Sequence, residues 1–214
     1  MLQFDLTKRR AGLVLWGDTW SLHAVHDLVH KVNEESPLVR DKEGFLLGLA
    51  YDVRKAFEGQ REKAVRERFE DKCPIYGVEI LWPVIAAQVA MLRASMAFIP
   101  TDRMDQSVMY ELEHLIERAV RELSPAGAEQ ILEQIWRIGQ GQAHVETVID
   151  SRCGYFVSLP PRQRVAQLAM VLASLDPMYG FHATMAVRSG VSGVIPPESF
   201  EPYAAGAEWP DFQW

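Results

Sequence analysis

Three histidines at helical spacing form the pattern in this chain that comes closest to a chemical site. His23, His26 and His30 lie three and four residues apart, in a segment whose apolar residues follow a helical period. His26 and His30 have the spacing of the zinc-protease helix, where two histidines four residues apart face one metal ion. That motif also needs a glutamate beside the first histidine, whereas this chain has the shorter Asp27. The position beside an apolar stripe favours structural or solvated histidines, and a metal site and a proton-transfer role stay open.

A second histidine lies among carboxylates further along the chain. His114 is flanked by Glu111 and Glu117, each three residues away and therefore a neighbour on a helix surface. An ion pair on that surface is the favoured interpretation. If this helix packs against the first one, however, a divalent metal could be held by a converging set of candidate ligands, namely His26, His30, His114 and Glu111. Without that convergence we expect no cofactor.

Arg93 is the one formal charge in the apolar segment 82–100. A charge among apolar residues must be paired or must reach water. The sequence offers Asp102, Glu111 and Glu113 as partners for a structural ion pair. The alternative is an anion-binding or phosphate-binding site in a pocket, where a small ligand would meet the Arg93 guanidinium.

Searches for the common catalytic motifs favour a protein that is not an enzyme. The chain has no phosphate-binding loop, no G-x-G-x-x-G and no H-E-x-x-H. The segment Gly190-Val191-Ser192-Gly193 lacks the last spacing of a hydrolase nucleophile turn. Asp18, between a predicted strand and a predicted helix, is accounted for by helix capping.

Composition and charge describe one soluble domain. With 214 residues, 48% of them hydrophobic and 24% charged, the chain can bury a core without a metal or disulfide. The formal net charge of -7 argues against nucleic-acid or anionic-membrane partners. Cys73 and Cys153 are too few for a disulfide framework, and the first residues do not form a signal peptide. We therefore expect a cytoplasmic protein.

The hydrophobic pattern predicts a mainly α (α+β) fold, in which a short N-terminal β-hairpin packs on about six helices. Helix 84–98 is apolar on nearly all sides, so it should be the central buried helix. A mixed-charge segment, 61–70, suggests a solvated helix. Asp41 and Ser124 are expected helix caps, and Tyr155-Phe156-Val157 a short strand.

The C-terminal residues have a different character from the rest. We place a single helical α+β domain at residues 1–185 and an irregular tail, rich in Pro, Gly and aromatic residues, at 186–214. The aromatic residues of this tail either pin it to the domain or anchor a partner. These candidate interaction residues are Tyr203, Trp209, Phe212 and Trp214.

Several short motifs resemble those of an uncharacterised bacterial protein family. They comprise Trp16-Gly17-Asp18, the stretch Tyr76-Gly77-Val78-Glu79-Ile80-Leu81-Trp82-Pro83, Leu92-Arg93, Pro100-Thr101, Gln106 and Tyr110-Glu111-Leu112-Glu113. The resemblance covers roughly the first 120 residues. It implies a bacterial cytoplasmic protein and no catalytic residue.

These observations favour a non-enzymatic protein-interaction factor of an accessory or immunity-like kind, because helical faces and an acidic surface are present while catalytic motifs are absent. A protein partner or self-association through a helical face would then be expected. The alternative is a metal-binding protein or metal-dependent hydrolase that uses the histidines of the first helix.

Overall fold

The structure is a computed structural model that describes residues 1–68, 71–139, 142–204 and 206–214. Mainly helical α+β architecture is confirmed. The elements, in chain order, are β1 (Gln3–Leu6), β2 (Gly12–Gly17), α1 (Thr19–Glu35), α2 (Leu47–Phe57), β3 (Glu62–Arg68), β4 (Asp71–Leu81), α3 (Trp82–Met96), α4 (Arg103–Leu123), α5 (Ala128–Ile138), α6 (Gln142–Ser158), α7 (Pro161–Ala173), α8 (Tyr179–Arg188) and a 3₁₀ helix (Pro197–Tyr203). No described helix is long and apolar enough to cross a membrane.

The N-terminal hairpin is part of a larger sheet. β1 and β2 pair as predicted, and β4 and β3 extend them into an antiparallel sheet of order β1-β2-β4-β3. Leu13 of β2 lies opposite Ile80 of β4, and both side chains are buried. The sheet therefore contributes one face to the core and leads directly into α3.

The predicted solvated helix over 61–70 is wrong, because residues 62–68 form β3. Ala64 pairs with Ile75 and Val65 with Pro74 of β4. β3 is an edge strand of the sheet, and charged residues are common on edge strands since they oppose pairing with other chains. The charge mixture thus suits a solvated helix and an edge strand equally, and pairing with β4 decides between them. Residues 69 and 70 of that segment lie outside the described residues.

α3 is the central helix, as predicted. It begins at Trp82, with Pro83 in the first turn, where a missing N–H costs nothing. Twelve of its fifteen residues are buried, and it contacts α1, α4, α5, α6 and α7. Its apolar surface on all sides is explained by this surrounding layer of helices.

Three local predictions are corrected by the structure. Tyr155-Phe156-Val157 lies inside α6 and is not a strand, because helical geometry buries Phe156 beside Val145 and Ile149. Ser124 ends α4 instead of starting the next helix. Asp41 accepts a hydrogen bond from the N–H of Glu43 in a turn and does not cap α2, which begins only at Leu47.

The C-terminal segment is more ordered than an irregular tail. α8 continues through residue 188, past the predicted boundary at 185, and residues 197–203 form the 3₁₀ helix. Phe200 in that helix is buried, and the helix packs against α6. The hydroxyl of Tyr179 also donates to the carbonyl of Ile195 and accepts from its N–H, both at 2.9 Å.

Candidate functional site

The three histidines of α1 form a row, of which His23 and His26 pack on α2 and His30 packs on His26. Asp18 caps α1 by accepting a hydrogen bond from the N–H of Ser21 at 2.8 Å. The ring of His23 stacks on Phe57 of α2 with a centroid separation of 3.9 Å. The rings of His26 and His30 lie 4.4 Å apart. Aromatic packing on α2 therefore accounts for the orientation of this row.

The structure does not bring the four candidate metal ligands together. Glu111 accepts a hydrogen bond from the backbone N–H of Leu2 at 2.6 Å, and His114 is exposed on α4. Across the described ranges, no group of three or more His, Cys, Asp and Glu side chains is placed to hold a metal ion. His26 and His30 remain close neighbours, but neither Glu111 nor His114 joins them in a ligand set.

α1 and α4 enclose an apolar groove of about 920 Å³, which we call the α1–α4 groove. Two large hydrophobic side chains stand at its edge: Trp20 is 85% exposed and Met104 is 68% exposed. Leu28 and Val108 are buried residues in its lining. The remaining lining residues are Thr19, Ser21, His23, Ala24, Asp27, Lys31, Asp105, Ser107 and Glu111.

Carboxylates outnumber cations in the α1–α4 groove. Lys31 donates to Asp105 at 2.6 Å. Burial alone would raise the pKa of Asp105, but the hydrogen bonds from Lys31 and from the N–H of Asp102 lower it. Asp27 is exposed, and its Oδ1 lies 3.2 Å from Nδ1 of His26, while Glu111 also faces the groove. After the Lys31–Asp105 pair is set aside, two carboxylates of the groove, Asp27 and Glu111, have no lysine or arginine as a partner among the described contacts.

Arg93 forms the predicted structural ion pair, and its partner is Glu113. The Arg93 Nε donates to Glu113 Oε1 at 2.6 Å and Nη2 donates to Oε2 at 2.5 Å. Nη1 donates to Gln106 Oε1 at 3.0 Å, and the guanidinium lies 4.8 Å from the ring centre of Tyr110. The hydrogen bonds to Glu113 raise the pKa of Arg93 despite its partial burial. Most of the anion-binding capacity of Arg93 is therefore used within the protein.

Removing one member of this pair is expected to destabilise the fold. In Glu113→Ala, Arg93 keeps its charge in a half-buried position without a carboxylate, so the free energy of unfolding should fall by about 2 kcal/mol. Urea denaturation followed by circular dichroism measures the change. The double variant Arg93→Met/Glu113→Leu should lose less free energy of unfolding than the single variants Arg93→Met and Glu113→Leu lose together, because the double variant leaves neither charge without its partner. A loss under about 0.5 kcal/mol in Glu113→Ala would contradict the ion pair's structural role.

Arg93 and Glu113 also line a cleft of about 840 Å³, which we call the Arg93 cleft. Loop residues before α2 form one wall, residues of α3 form the floor, and residues of α5 and α6 close the other side. Its lining is Pro37, Leu38, Arg40, Ala90, Arg93, Ala94, Phe98, Glu113, Trp136, Gly139, Gln142, Ala143, His144 and Pro177.

The four predicted interaction residues of the C-terminal segment have different surroundings. Tyr203 packs on Gly154, where a Cβ would lie 2.8 Å from the Tyr203 Cβ. Phe212 and Trp214 pack edge to face and are partly buried against the core. The N–H of Arg9 donates to the carbonyl of Trp214 at 3.0 Å. Trp209, at 41% exposure, is the most exposed of the four.

The α1–α4 groove was missed by sequence reasoning, although one residue indicated it. Trp20 lies on the side of α1 opposite the apolar stripe of Leu22, Val25 and Val29, so the first helix cannot bury it against the same core. A large aromatic residue on a polar helix face is a reason to look for a contact surface. The groove itself depends on how α1 meets α4, which no local pattern specifies.

Comparison with protein-family models identifies a match over nearly the whole chain. A family model described as "Domain of unknown function (DUF6904)" matches residues 2–214. The predicted resemblance to an uncharacterised family is confirmed, and it extends well beyond the first 120 residues. No curated protein and no solved structure matches the chain.

Proposed function

Because this chain belongs to the DUF6904 family of domains of unknown function, we propose a function from its own surface: it is a non-enzymatic protein-interaction factor. Its α1–α4 groove binds a basic amphipathic helix of a partner protein. The observation that carries this proposal is the 85% exposure of Trp20 at the edge of an apolar groove. Exposed tryptophan is characteristic of the residues that dominate binding energy at protein interfaces.

The shape and lining of the groove support a helix as the bound element. Amphipathic helices bind by laying an apolar face into a hydrophobic groove, with anchors at helical spacing. Leu28 and Val108 supply an apolar floor between α1 and α4. Trp20 and Met104, in the first turns of the two helices, would fold over an inserted apolar side chain. Burying these two exposed side chains would add hydrophobic stabilisation to the complex.

The charge of the groove supports a basic partner. Asp27 and Glu111 have no lysine or arginine partner within the described contacts, and the whole chain has a net charge of -7. Complementary charge across an interface steers association and selects partners of opposite sign. Lysine or arginine residues flanking the apolar face of the bound helix would meet these carboxylates.

Cys73 and Cys153 are both free thiols, which supports function in a reducing compartment such as the cytoplasm.

A synthetic peptide tests this proposal directly. A leucine/lysine peptide of about five helical turns should bind the protein in a 1:1 complex, and the Trp20→Ala/Met104→Ala variant should bind it at least about tenfold more weakly. Asp27→Lys should weaken binding of this peptide and strengthen binding of the matched leucine/glutamate peptide. Isothermal titration calorimetry measures all of these affinities. Phe181→Ala serves as the control, because Phe181 is 62% exposed on α8 and does not line the groove.

Two outcomes would overturn the proposal. One is equal binding of the leucine/lysine peptide by the Trp20→Ala/Met104→Ala variant and the unmodified protein, which would place the peptide elsewhere. The other is a concentration-dependent dimer in analytical ultracentrifugation that the same variant converts to monomer, which would assign the groove to a second copy of the chain.

A further inference from the structure

The Arg93 cleft has the dimensions and walls of a small-ligand site. Its volume of about 840 Å³ falls within the range of pockets that hold small organic ligands. Phe98 and Trp136 line it and remain partly exposed, so two aromatic rings face the space. Ala90 and Ala94 of α3 contribute small apolar side chains to the lining. A flat or branched apolar body would pack against such surfaces.

Among the described residues that line the cleft, Arg40 is the one cationic side chain without a carboxylate partner. Arg93 is neutralised by the two-point contact with Glu113, and Gln106 holds it further. Arg40 is exposed at the wall of the cleft and makes no hydrogen bond or ion pair with any residue in the described ranges. An arginine of this kind can bind a carboxylate with two parallel hydrogen bonds.

His144 adds a neutral polar group to the same cleft. It lies half-buried at the start of α6, and neither ring nitrogen hydrogen-bonds to a described residue. Burial lowers the pKa of His144, Arg152 lowers it further and Asp176 only partly offsets this effect. The imidazole is therefore neutral at pH 7 and offers one donor and one acceptor without adding a second charge.

From these features we infer that the Arg93 cleft binds a small organic acid, in which one carboxylate is attached to an aromatic or branched apolar body. Arg40 supplies the charge for the carboxylate, while Phe98 and Trp136 contact the apolar body. A singly charged ligand matches the single unpaired cation, whereas a phosphate dianion would keep part of its charge uncompensated. This site is separate from the α1–α4 groove, since the two lining sets share no residue.

A matched pair of probes separates the two parts of the recognition. 2-Naphthoate and its neutral isostere 2-naphthamide share the aromatic body and differ in charge. Calorimetric titration at pH 7 should show 2-naphthoate binding at least about tenfold more tightly. Arg40→Gln should remove this preference and leave 2-naphthamide binding within about twofold. Trp136→Ala should weaken both probes, because it removes apolar contact and no charge.

Arg162→Gln is the matched control for Arg40→Gln. Arg162 is also exposed and unpaired among the described contacts, but it lies on α7 outside the cleft, so its replacement should leave both affinities unchanged. Equal affinity of the two probes for the unmodified protein would overturn the inference. Undiminished 2-naphthoate binding by Arg40→Gln would overturn it as well, and tighter binding of 2-naphthyl phosphate would contradict the assigned ligand class.

Discussion

Replacing Gly12 with alanine is expected to lower the free energy of unfolding by about 4 kcal/mol or more, an unusually large loss for a single added methyl group. Gly12 begins β2 and lies opposite Leu81 of β4. A Cβ at this position would lie 1.9 Å from the carbonyl oxygen of Ile80 and 2.9 Å from the Leu81 Cα. These are backbone atoms of a paired strand, so they cannot rotate away and the β2–β4 pairing must separate locally. Urea denaturation measures the loss.

The matched control for this prediction is Gly180→Ala. Gly180 lies in the first turn of α8, and a Cβ there would meet no atom within 4 Å. Alanine restricts the unfolded chain more than glycine does, so this variant should gain about 0.5–1 kcal/mol. The lower conformational entropy of the unfolded chain would by itself stabilise both variants. Opposite changes in the free energy of unfolding at the two positions would therefore be due to the steric clash at Gly12.

The Gly12 prediction also tests how the sheet is joined to the central helix. The N–H of Trp82 donates to the carbonyl of Ala11 at 3.1 Å, so the residue before Gly12 holds the first residue of α3. A displaced β2 would weaken this link and loosen the fully buried Trp82. If Gly12→Ala left stability unchanged, the register between β2 and β4 would have to differ from the one described.

The elements that sequence reasoning predicted best are those in which local pattern and burial agree. α4 has apolar residues on one face and charged residues on the other, and Asp102 and Asp105 form a capping box at its start. α3 combines an apolar sequence on all sides with a proline in its first turn. Their neighbours along the chain do not have to be known for either helix to be recognised.

The failures occur where a short pattern suits two structures. β3 has mixed charges that fit a solvated helix as well as an edge strand, and only its pairing with β4 distinguishes them. Tyr155-Phe156-Val157 is a short apolar run, which periodicity alone cannot assign to a strand or a buried helix. In α6 this run is helical because the neighbouring turns also bury apolar residues.

The site residues, too, were predictable only where a local pattern determines the contact. Pairing of Arg93 was predictable because a charge in an apolar helix needs a partner, although the sequence left Asp102, Glu111 and Glu113 open. Glu113 is the partner because α3 and α4 pack side by side and place it beside the guanidinium. The free Arg40 and the neutral His144 gain their meaning only from the cleft that they share, and their positions 104 residues apart give no local sign of it.

Replacing Phe200 with alanine is expected to cost about 3–4 kcal/mol of folding free energy. Phe200 is buried in the 3₁₀ helix, and its ring packs edge to face on Tyr155 of α6 with centroids 5.1 Å apart. The Arg152 guanidinium lies 4.2 Å from the same ring centre. Loss of the ring leaves a cavity. It also removes the aromatic contact of the Arg152 guanidinium, which has no carboxylate partner among the described residues.

Trp209→Ala is the control within the same segment. Trp209 is larger than Phe200 but keeps 41% of its surface exposed, so its loss should cost clearly less than the loss of Phe200, about 1 kcal/mol or below. Thermal unfolding and limited proteolysis of both variants provide the comparison.

The difference in stability between the two variants decides the role of the C-terminal residues, since a segment held by Phe200 belongs to the folded body. Deletion of residues 199–214 would then remove packing contacts of α6. A loss of partner binding by that deletion variant would therefore reflect lower stability of the folded protein and would not identify a binding segment. An unchanged Phe200→Ala variant would instead mean that the segment is detached in solution and free to bind a partner.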